Sequence, residues 1–429
     1  MSFVKLAMKS AATRAAFQAV RSASRAPMAA TVRAYTTLQD IVDKPSPIGF
    51  TEDELMFKDS VAKMAQEVIA PEVRNMDENE LMKPEILQSL FDNGLMGIET
   101  AEEFGGAGAS FTSAILVVEE LAKVDPSISV VNDVHNTLVN TCIRKYGSQE
   151  LQEKFLPVLA SEKLGSFCLS EAGSGSDAFA LKARATKSKD GKGYILNGSK
   201  MWITNAHEAS VFIIFANLDP SKGYRGITAF VVDKDAGIQI AKKEKKLGIR
   251  ASSTCVIQFD DIYVPKENLL GEEGKGYKIA IDILNEGRIG IAAQMLGLSI
   301  GAFEKSVDYV FNERKQFGKY IGENQGLQFQ VAQCATEIEA ARLMVYNAAR
   351  IKESGQNFVK EAAMAKLYAS QVAGKVSSLA IEWMGGVAFT RELDLEKYFR
   401  DAKIGAIYEG TSNIQLQTIA KLIQNEIKR

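Results

Sequence analysis

Histidine is nearly absent: the 429 residues contain two, His135 and His207. A histidine-rich metal centre is thereby excluded, and a Ser-His-Asp triad would have to use one of these two. Cysteine is scarce as well. Cys142, Cys168, Cys255 and Cys334 lie far apart with no C-x-x-C pair, so four buried, reduced thiols are expected. Long apolar runs are missing. The longest charge-free stretches of the body, 104–118 and 289–303, hold 15 residues each. A spanning helix needs about 20, and Gly, Ser or Gln interrupts both, so no membrane span is expected.

Acids are missing from one segment only. Residues 1–39 carry Lys5, Lys9, Arg14, Arg21, Arg25 and Arg33 but no Asp or Glu, which leaves 45 basic against 53 acidic side chains in the remainder. An acid-free terminus rich in Ala, Ser and Arg reads as a mitochondrial presequence over 1–35, with processing near Arg33-Ala34-Tyr35 and the matrix as destination. The acidic body is a poor match for a nucleic-acid backbone, so no nucleic-acid partner is expected. Common nucleotide fingerprints fail too. Gly106-Ala107-Gly108-Ala109-Ser110-Phe111 lacks the third glycine of a dinucleotide turn and follows no strand pattern, and no G-x-x-x-x-G-K-[ST] exists.

The patterning that is present divides the chain in three. Apolar residues recur at helical spacing through 50–164, as with Leu55, Val61, Met64, Ala65 and Val68 in a helix over 52–69, followed by helices over 111–124 and 138–159. Short β-rich runs separated by turn residues fill 165–271: 194–196, 211–216, 227–232, 238–240 and 254–264. No long helical pattern intervenes, which predicts an antiparallel sheet or barrel rather than βαβ units. Helical spacing returns over 272–429, with long helices at 279–312, 327–354 and 357–384, the second closed by Gly355. Ser412-x-x-Gln415 is expected to form a capping box for a last helix over 413–427.

Three stretches could carry chemistry. Phe167-Cys168-Leu169-Ser170-Glu171-Ala172-Gly173-Ser174-Gly175-Ser176 interleaves glycine with serine, so backbone N–H groups and hydroxyls can converge on one ligand. Trp202-Ile203-Thr204 sets an indole, the best flat surface for a conjugated ring, beside a small polar residue. Glu409-Gly410-Thr411-Ser412-Asn413 places a carboxylate and a glycine before a helix N-terminus, whose free N–H groups favour an anion. Glu409 there could serve as a base. Each also has a plainer reading: a flexible surface turn, a core tryptophan, and an acid that interacts with the helix dipole.

Together with Phe104-Gly105-Gly106, Leu247-Gly248-Ile249-Arg250, Asn285-Glu286-Gly287-Arg288, Arg314-Lys315-Gln316-Phe317-Gly318, Glu382-Trp383-Met384-Gly385-Gly386 and Phe399-Arg400-Asp401-Ala402-Lys403, these stretches resemble the acyl-CoA dehydrogenase family from about residue 50 to 421. Within it, Leu95-Met96-Gly97-Ile98-Glu99 and Ala251-Ser252-Ser253-Thr254-Cys255 are most similar to the short/branched-chain branch. The resemblance implies an N-terminal helical domain, a central antiparallel β-barrel domain and a C-terminal four-helix bundle. It also implies FAD as cofactor, an acyl-CoA substrate, electron-transfer flavoprotein as partner, and a homotetramer built as a dimer of dimers.

Residue by residue, the family's flavin contacts fall on 167–176, Trp202, Ile203, Thr204, Thr411, Ser412 and Asn413. Arg314, Gln325 and Glu382, Trp383, Met384, Gly385 and Gly386 would serve the FAD of the neighbouring subunit. Substrate contacts fall on Ser176, Tyr224, Tyr277, Asn285, Glu286, Gly287, Arg288 and Gly410. Glu409 matches the catalytic base, which takes the α-proton of the thioester while the β-hydride passes to the flavin. Isovaleryl- and long-chain-type enzymes place the base directly before the arginine matching Arg288; here that residue is Gly287. The same residues run in reverse would make an enoyl-CoA reductase, and a non-catalytic flavoprotein scaffold is the remaining alternative.

Overall fold

A computed structural model describes residues 48–428; the expected presequence lies outside them. Thr51 opens α1 (Glu52–Met64) with a capping box, its hydroxyl accepting from the Glu54 N–H while the Glu54 carboxylate accepts from the Thr51 N–H. The expected helix over 52–69 continues through a π-turn at Ala65–Ile69. Then follow α2 (Val73–Asn79), α3 (Pro84–Asp92), α4 (Phe111–Val124), α5 (Pro126–Asp133), α6 (Thr141–Tyr146) and α7 (Gln149–Ser161). The single helix expected over 138–159 is broken at Gly147-Ser148. There the Ser148 hydroxyl accepts from the Leu151 N–H and starts α7 afresh.

Eight strands form one sheet: β1 (Gly165–Cys168), β2 (Arg184–Lys187), β3 (Gly193–Thr204), β4 (Val211–Asn217), β5 (Ile227–Asp233), β6 (Gln239–Lys243), β7 (Thr254–Pro265) and β8 (Leu269–Leu270). The order is β6-β7-β3-β2-β4-β5-β8, with β1 beside β4. It is antiparallel as expected except where β1 and β2 meet β4 in parallel. Alternation along the strands gives the sheet two faces. Phe212 and Ile214 of β4, Phe230 and Val232 of β5, Tyr194 and Leu196 of β3, and Cys255 and Ile257 of β7 share one core, so the sheet curls about its own interior. Ile213, Phe215 and Val231 point the other way, into the core shared with the helices.

The rest is helical apart from a small antiparallel hairpin that pairs Lys315–Gln316 with Lys319–Tyr320: α8 (Gly276–Asp308), α9 (Gln325–Glu353), α10 (Val359–Met384), α11 (Gly386–Phe389), α12 (Leu395–Ala402) and α13 (Ser412–Ile427). A helix apolar on every side belongs inside, and α8 is buried along most of its length against α4 and α10. Two glycines make that approach possible, since a Cβ at Gly297 or Gly301 would strike the Glu119 or Lys123 carbonyl of α4. The cap of α13 differs from expectation. Thr411 is the N-cap, its side chain accepting from the Ile414 N–H, and Gln415 turns back to donate to the Glu409 and Gly410 carbonyls at 3.1 and 2.9 Å.

One buried ion cluster locks three regions together. The Lys397 ammonium of α12 donates to Asp125 at 2.7 Å and to Asp401 at 2.6 Å. Asp125 caps α5 through the Ser127 N–H, and Asp401 accepts from the backbone N–H of Ile249 in the loop before β7. That loop is strained: Ile249, a β-branched residue, has φ +43. Among the described residues no helix is long and apolar enough to cross a membrane, and the four cysteines are free and buried.

Candidate active site

Two adjacent segments are sewn into one wall. The fully buried Lys200 of β3 donates to Glu171 at 2.8 Å and to the Leu169 carbonyl at 3.0 Å, and the Met201 N–H donates to the Ser170 carbonyl at 2.9 Å. Glu171 also accepts from the Lys182 and Ala183 N–H groups. Burial alone would raise its pKa, but the Lys200 charge and these donors hold it below the usual carboxylate range. The Glu171 side chain is therefore consumed in shaping the wall. Phe167, Cys168 and Leu169 are buried in the cores, with Phe167 against Phe215 at 5.0 Å. What this segment presents outward is Ala172, Gly173, Gly175 and Ser176, and a Cβ on either glycine would meet nothing within 4 Å. Ser174 is buried, its hydroxyl donating to the Asp177 carbonyl.

Trp202 sits where the β3–β7 register slips between Lys200 and Ile203. A bulge of this kind re-aims a side chain. Trp202 has φ +64, and its indole stands 55% exposed, while Ile203 goes into the sheet interior. The core reading of Trp202 is therefore excluded. A free aromatic face beside an open glycine-serine turn, with Thr204 at the end of the same strand, fits a planar conjugated ring with an anionic tail.

Glu409 lies on the turn entering α13, with φ +51, followed by Gly410 with φ +88. Its backbone N–H has no hydrogen-bond partner among the described residues, and its Oε2 atom is shut off from solvent without a donor. Burial pushes the carboxyl up to about 7, against the opposing charges of Lys366 and Arg288. The carboxylate rests on α8 at its bare point: a Cβ at Gly287 would stand 3.0 Å from Glu409 Oε2 and 2.8 Å from Leu138 Cδ2. Arg288 follows, mostly enclosed, donating to Asn285 at 2.8 Å and leaving its Nε without a partner among the described residues. Glu286 turns elsewhere on the helix. It is fully buried and paired with Lys145 and, at 3.3 Å, Lys352, so its side chain is committed to α6 and α9 rather than to Glu409.

Tyr224 and Tyr277 meet edge to face at 5.0 Å, and Tyr277 meets Phe179 at 6.4 Å. Phe179 stands three residues after Ser176, so the two tyrosines pack beside the end of the glycine-serine segment. Arg314 donates to the Met384 carbonyl, and Gly385, with φ +75, leaves room for the guanidinium that any Cβ would occupy. Gln325 opens α9 and is exposed, as are Glu382 and Gly386. Trp383 and Met384 differ: both are buried, with Trp383 bonded to Gln330 at 2.7 Å, so only their backbone could serve a ligand. Among the described residues no hydrogen bond or ion pair joins this second group to Glu409. Thr411 is used as the helix cap; Ser412 and Asn413 flank it in the first turn.

Two further residues around Glu409 escaped the sequence reading. Lys366 of α10 is fully buried and donates to the Gly405 and Gly410 carbonyls. Asp133, at the end of α5, is buried with only Thr137 as donor among the described residues, and burial together with the nearby Glu409 charge drives its pKa well upward. Each had a signal: a lone lysine in phase with Ala362, Ala369 and Ala373, and a lone acid in the otherwise uncharged stretch 126–143.

Comparison with known proteins matches most of the described residues. The domains described as "Acyl-CoA dehydrogenase, N-terminal domain", "middle domain" and "C-terminal domain" match residues 51–163, 166–262 and 274–424. The short/branched chain specific acyl-CoA dehydrogenase of Rattus norvegicus, a mitochondrial protein, is 58% identical over 378 residues, 88% of this chain and 87% of that one. Butyryl-CoA dehydrogenase from Megasphaera elsdenii superposes with a TM-score of 0.85 at 40% identity, covering 87% of this chain and 99% of the other. An acyl-CoA dehydrogenase from Bacillus anthracis complexed with FAD superposes with a TM-score of 0.84 at 31% identity, covering 90% and 69%.

Proposed function

The chain belongs to the acyl-CoA dehydrogenase family, and from that premise we propose that it oxidises a short 2-methyl-branched acyl-CoA, such as 2-methylbutyryl- or isobutyryl-CoA, to the 2-enoyl thioester with Glu409 as base. The observation that carries this reading is the enclosed Glu409 carboxylate filling the space that Gly287 leaves on α8. The position used for the base in isovaleryl- and long-chain-type enzymes thus has no carboxylate here, and Glu409 occupies the adjoining volume.

The residues around Glu409 divide the work. Desolvation lifts the carboxyl to about 7, so near neutral pH it can accept a proton from carbon. The α-proton of a thioester is too weak an acid unless the developing oxyanion is stabilised, and the unpartnered Glu409 N–H is a donor beside the carboxylate. When bound, FAD would supply the acceptor for the β-hydride. Trp202 and the 172–176 turn would hold the flavin, with Ser412 and Asn413 at the start of α13. Ser176, Tyr224 and Tyr277 would line the approach of the acyl-CoA, and Asn285, Arg288 and Gly410 its inner end.

Electron-transfer flavoprotein would collect the electrons, and the mitochondrial matrix would be the site of action. A homotetramer accounts for the Arg314–Gly385 group, which would serve the FAD of a neighbouring copy. Exposed Phe317, Phe329 and Phe389 give the chain apolar surface to cover. The test is anaerobic bleaching of flavin absorbance by 2-methylbutyryl-, isobutyryl- and butyryl-CoA in turn. Rapid bleaching by a branched substrate supports the reading, and flavin that none of them reduces refutes it.

A further inference from the structure

Glu409 is held from below by one buried lysine. The Lys366 ammonium donates to the Gly405 carbonyl at 2.6 Å and to the Gly410 carbonyl at 2.8 Å, so a single side chain of α10 grips the segment on both sides of Glu409. Ser370, one turn along α10, donates to the same Gly405 carbonyl at 2.8 Å. The Gly405 backbone in turn abuts Met295 of α8, where a Cβ would collide with the sulfur. The segment is thus wedged between two long helices, with Glu409 and Gly410 both at positive φ. An L-residue held at positive φ needs surrounding contacts to over-determine it. Lys366 is fully buried and, among the described residues, makes no ion pair within 4 Å, and the other buried residues of α10 are all uncharged, so its charge has no carboxylate paired with it.

We propose that Lys366 is a positioning residue for the dehydrogenation: it fixes the Glu409 turn and supplies a buried positive charge that favours the ionised, proton-accepting form of the base. This rests on Glu409 being that base. The charged and titratable groups facing Glu409 are Lys366 from α10, Arg288 from α8, Asp133 from α5 and the adjacent Tyr408. Lys366 and Arg288 stabilise the carboxylate, whereas Asp133, when ionised, opposes it. Burial lowers Lys366 itself to about 8, with Glu409 acting to raise it, so it is charged at neutral pH. Acting alone, Arg288 would leave the acid limb of turnover higher than it is with both cations.

The experiment compares Lys366→Met, Lys366→Gln and Glu409→Gln as FAD-loaded full-length protein. Lys366→Met is expected to fold and bind flavin, to lower kcat by about tenfold or more at pH 7 with KM little changed, and to move the acid limb of the kcat/KM profile up by about one pH unit. Lys366→Gln keeps a donor for one carbonyl without the charge. It should recover part of kcat but retain the shifted limb. A lysine that only braced the fold would lower kcat or flavin content and leave the limb where it is. An unshifted limb in Lys366→Met overturns the proposal, and Lys366→Gln decides the same point should the Met variant not fold. Full activity in Glu409→Gln would instead sink the assignment of the base. An inactive Glu409→Gln beside an unshifted Lys366 variant sinks the role of Lys366 alone.

Discussion

Adding one methyl group at Gly287 should slow turnover while leaving the protein folded. A Cβ there stands 3.0 Å from Glu409 Oε2 and 2.8 Å from Leu138 Cδ2. Ordinary van der Waals contact is about 3.5–4.0 Å, so both neighbours must yield by roughly half an ångström or more. Leu138 can swing its Cδ2, which is the end of a side chain. The carboxylate has less freedom, because Lys366 and Gln415 clamp its turn and Gly410 follows at positive φ. Overpacking a close-fitted interior costs about 1–3 kcal/mol, and much of that would fall on the position of the base. Moving a proton acceptor out of reach by such a distance lowers kcat by about tenfold to a hundredfold. Gly287→Ala should therefore bind FAD and melt within a few degrees of the parent, yet reduce flavin far more slowly in a stopped-flow, single-turnover assay with saturating 2-methylbutyryl-CoA. Unchanged reduction would refute the contact between Gly287 and the base.

Three further outcomes follow from the same geometry. Because the Glu409 carboxyl is raised from 4.5 to about 7, the base form grows as pH rises; kcat/KM should climb through pH 7 and level off above it, and a profile flat from pH 5 to 8 would contradict this. The same shift means that the folded, unliganded protein holds a proton the unfolded chain has released between pH 4.5 and 7, so this group's contribution to stability falls over that window as pH rises; a thermal-melt series of parent against Glu409→Gln reads the difference. Removing the cation from the buried Asp125–Lys397–Asp401 cluster leaves two enclosed carboxyls without their counter-charge, and Lys397→Met should cost about 3–5 kcal/mol, visible as a large drop in melting temperature; a variant melting with the parent would count against the cluster.

Much of this was readable in the residues, and what was not has physical causes. Helices α8, α9 and α10 appear as long runs at helical spacing, which packing then reinforces. The strands 211–217 and 227–233 carry the apolar runs 211–216 and 229–232 and are equally plain. β1 was hidden because its four residues, Gly165–Cys168, lead straight into the glycine-serine turn, and its identity depends on pairing with Val211–Ile214, more than forty residues away. Glycine and serine at 147 and 148 look like a tolerable interruption until the Ser148 hydroxyl is seen capping α7. At the candidate site, the carboxylate and glycine before a helix N-terminus are plain in the sequence, but those residues alone fit an acid facing the helix dipole equally well. The long-range arrangement was not legible: Lys366 reaches Glu409 from α10 and Asp133 from α5. Nor could spacing alone show that Trp383 and Met384 face inward while Gly385 receives Arg314. Motifs reveal which residues a ligand could meet, whereas the chain's path determines which of them point at it.

The most direct test of Glu409 as the base is anaerobic reduction of the bound flavin by 2-methylbutyryl-CoA in the parent protein and in Glu409→Gln, followed at the flavin absorbance maximum. Fast bleaching is expected in the parent and, in a variant with the same flavin content and melting temperature, reduction slower by about a thousandfold or more, as when a general base is removed and oxyanion stabilisation remains. Bleaching at a comparable rate in both would show that another group takes the α-proton.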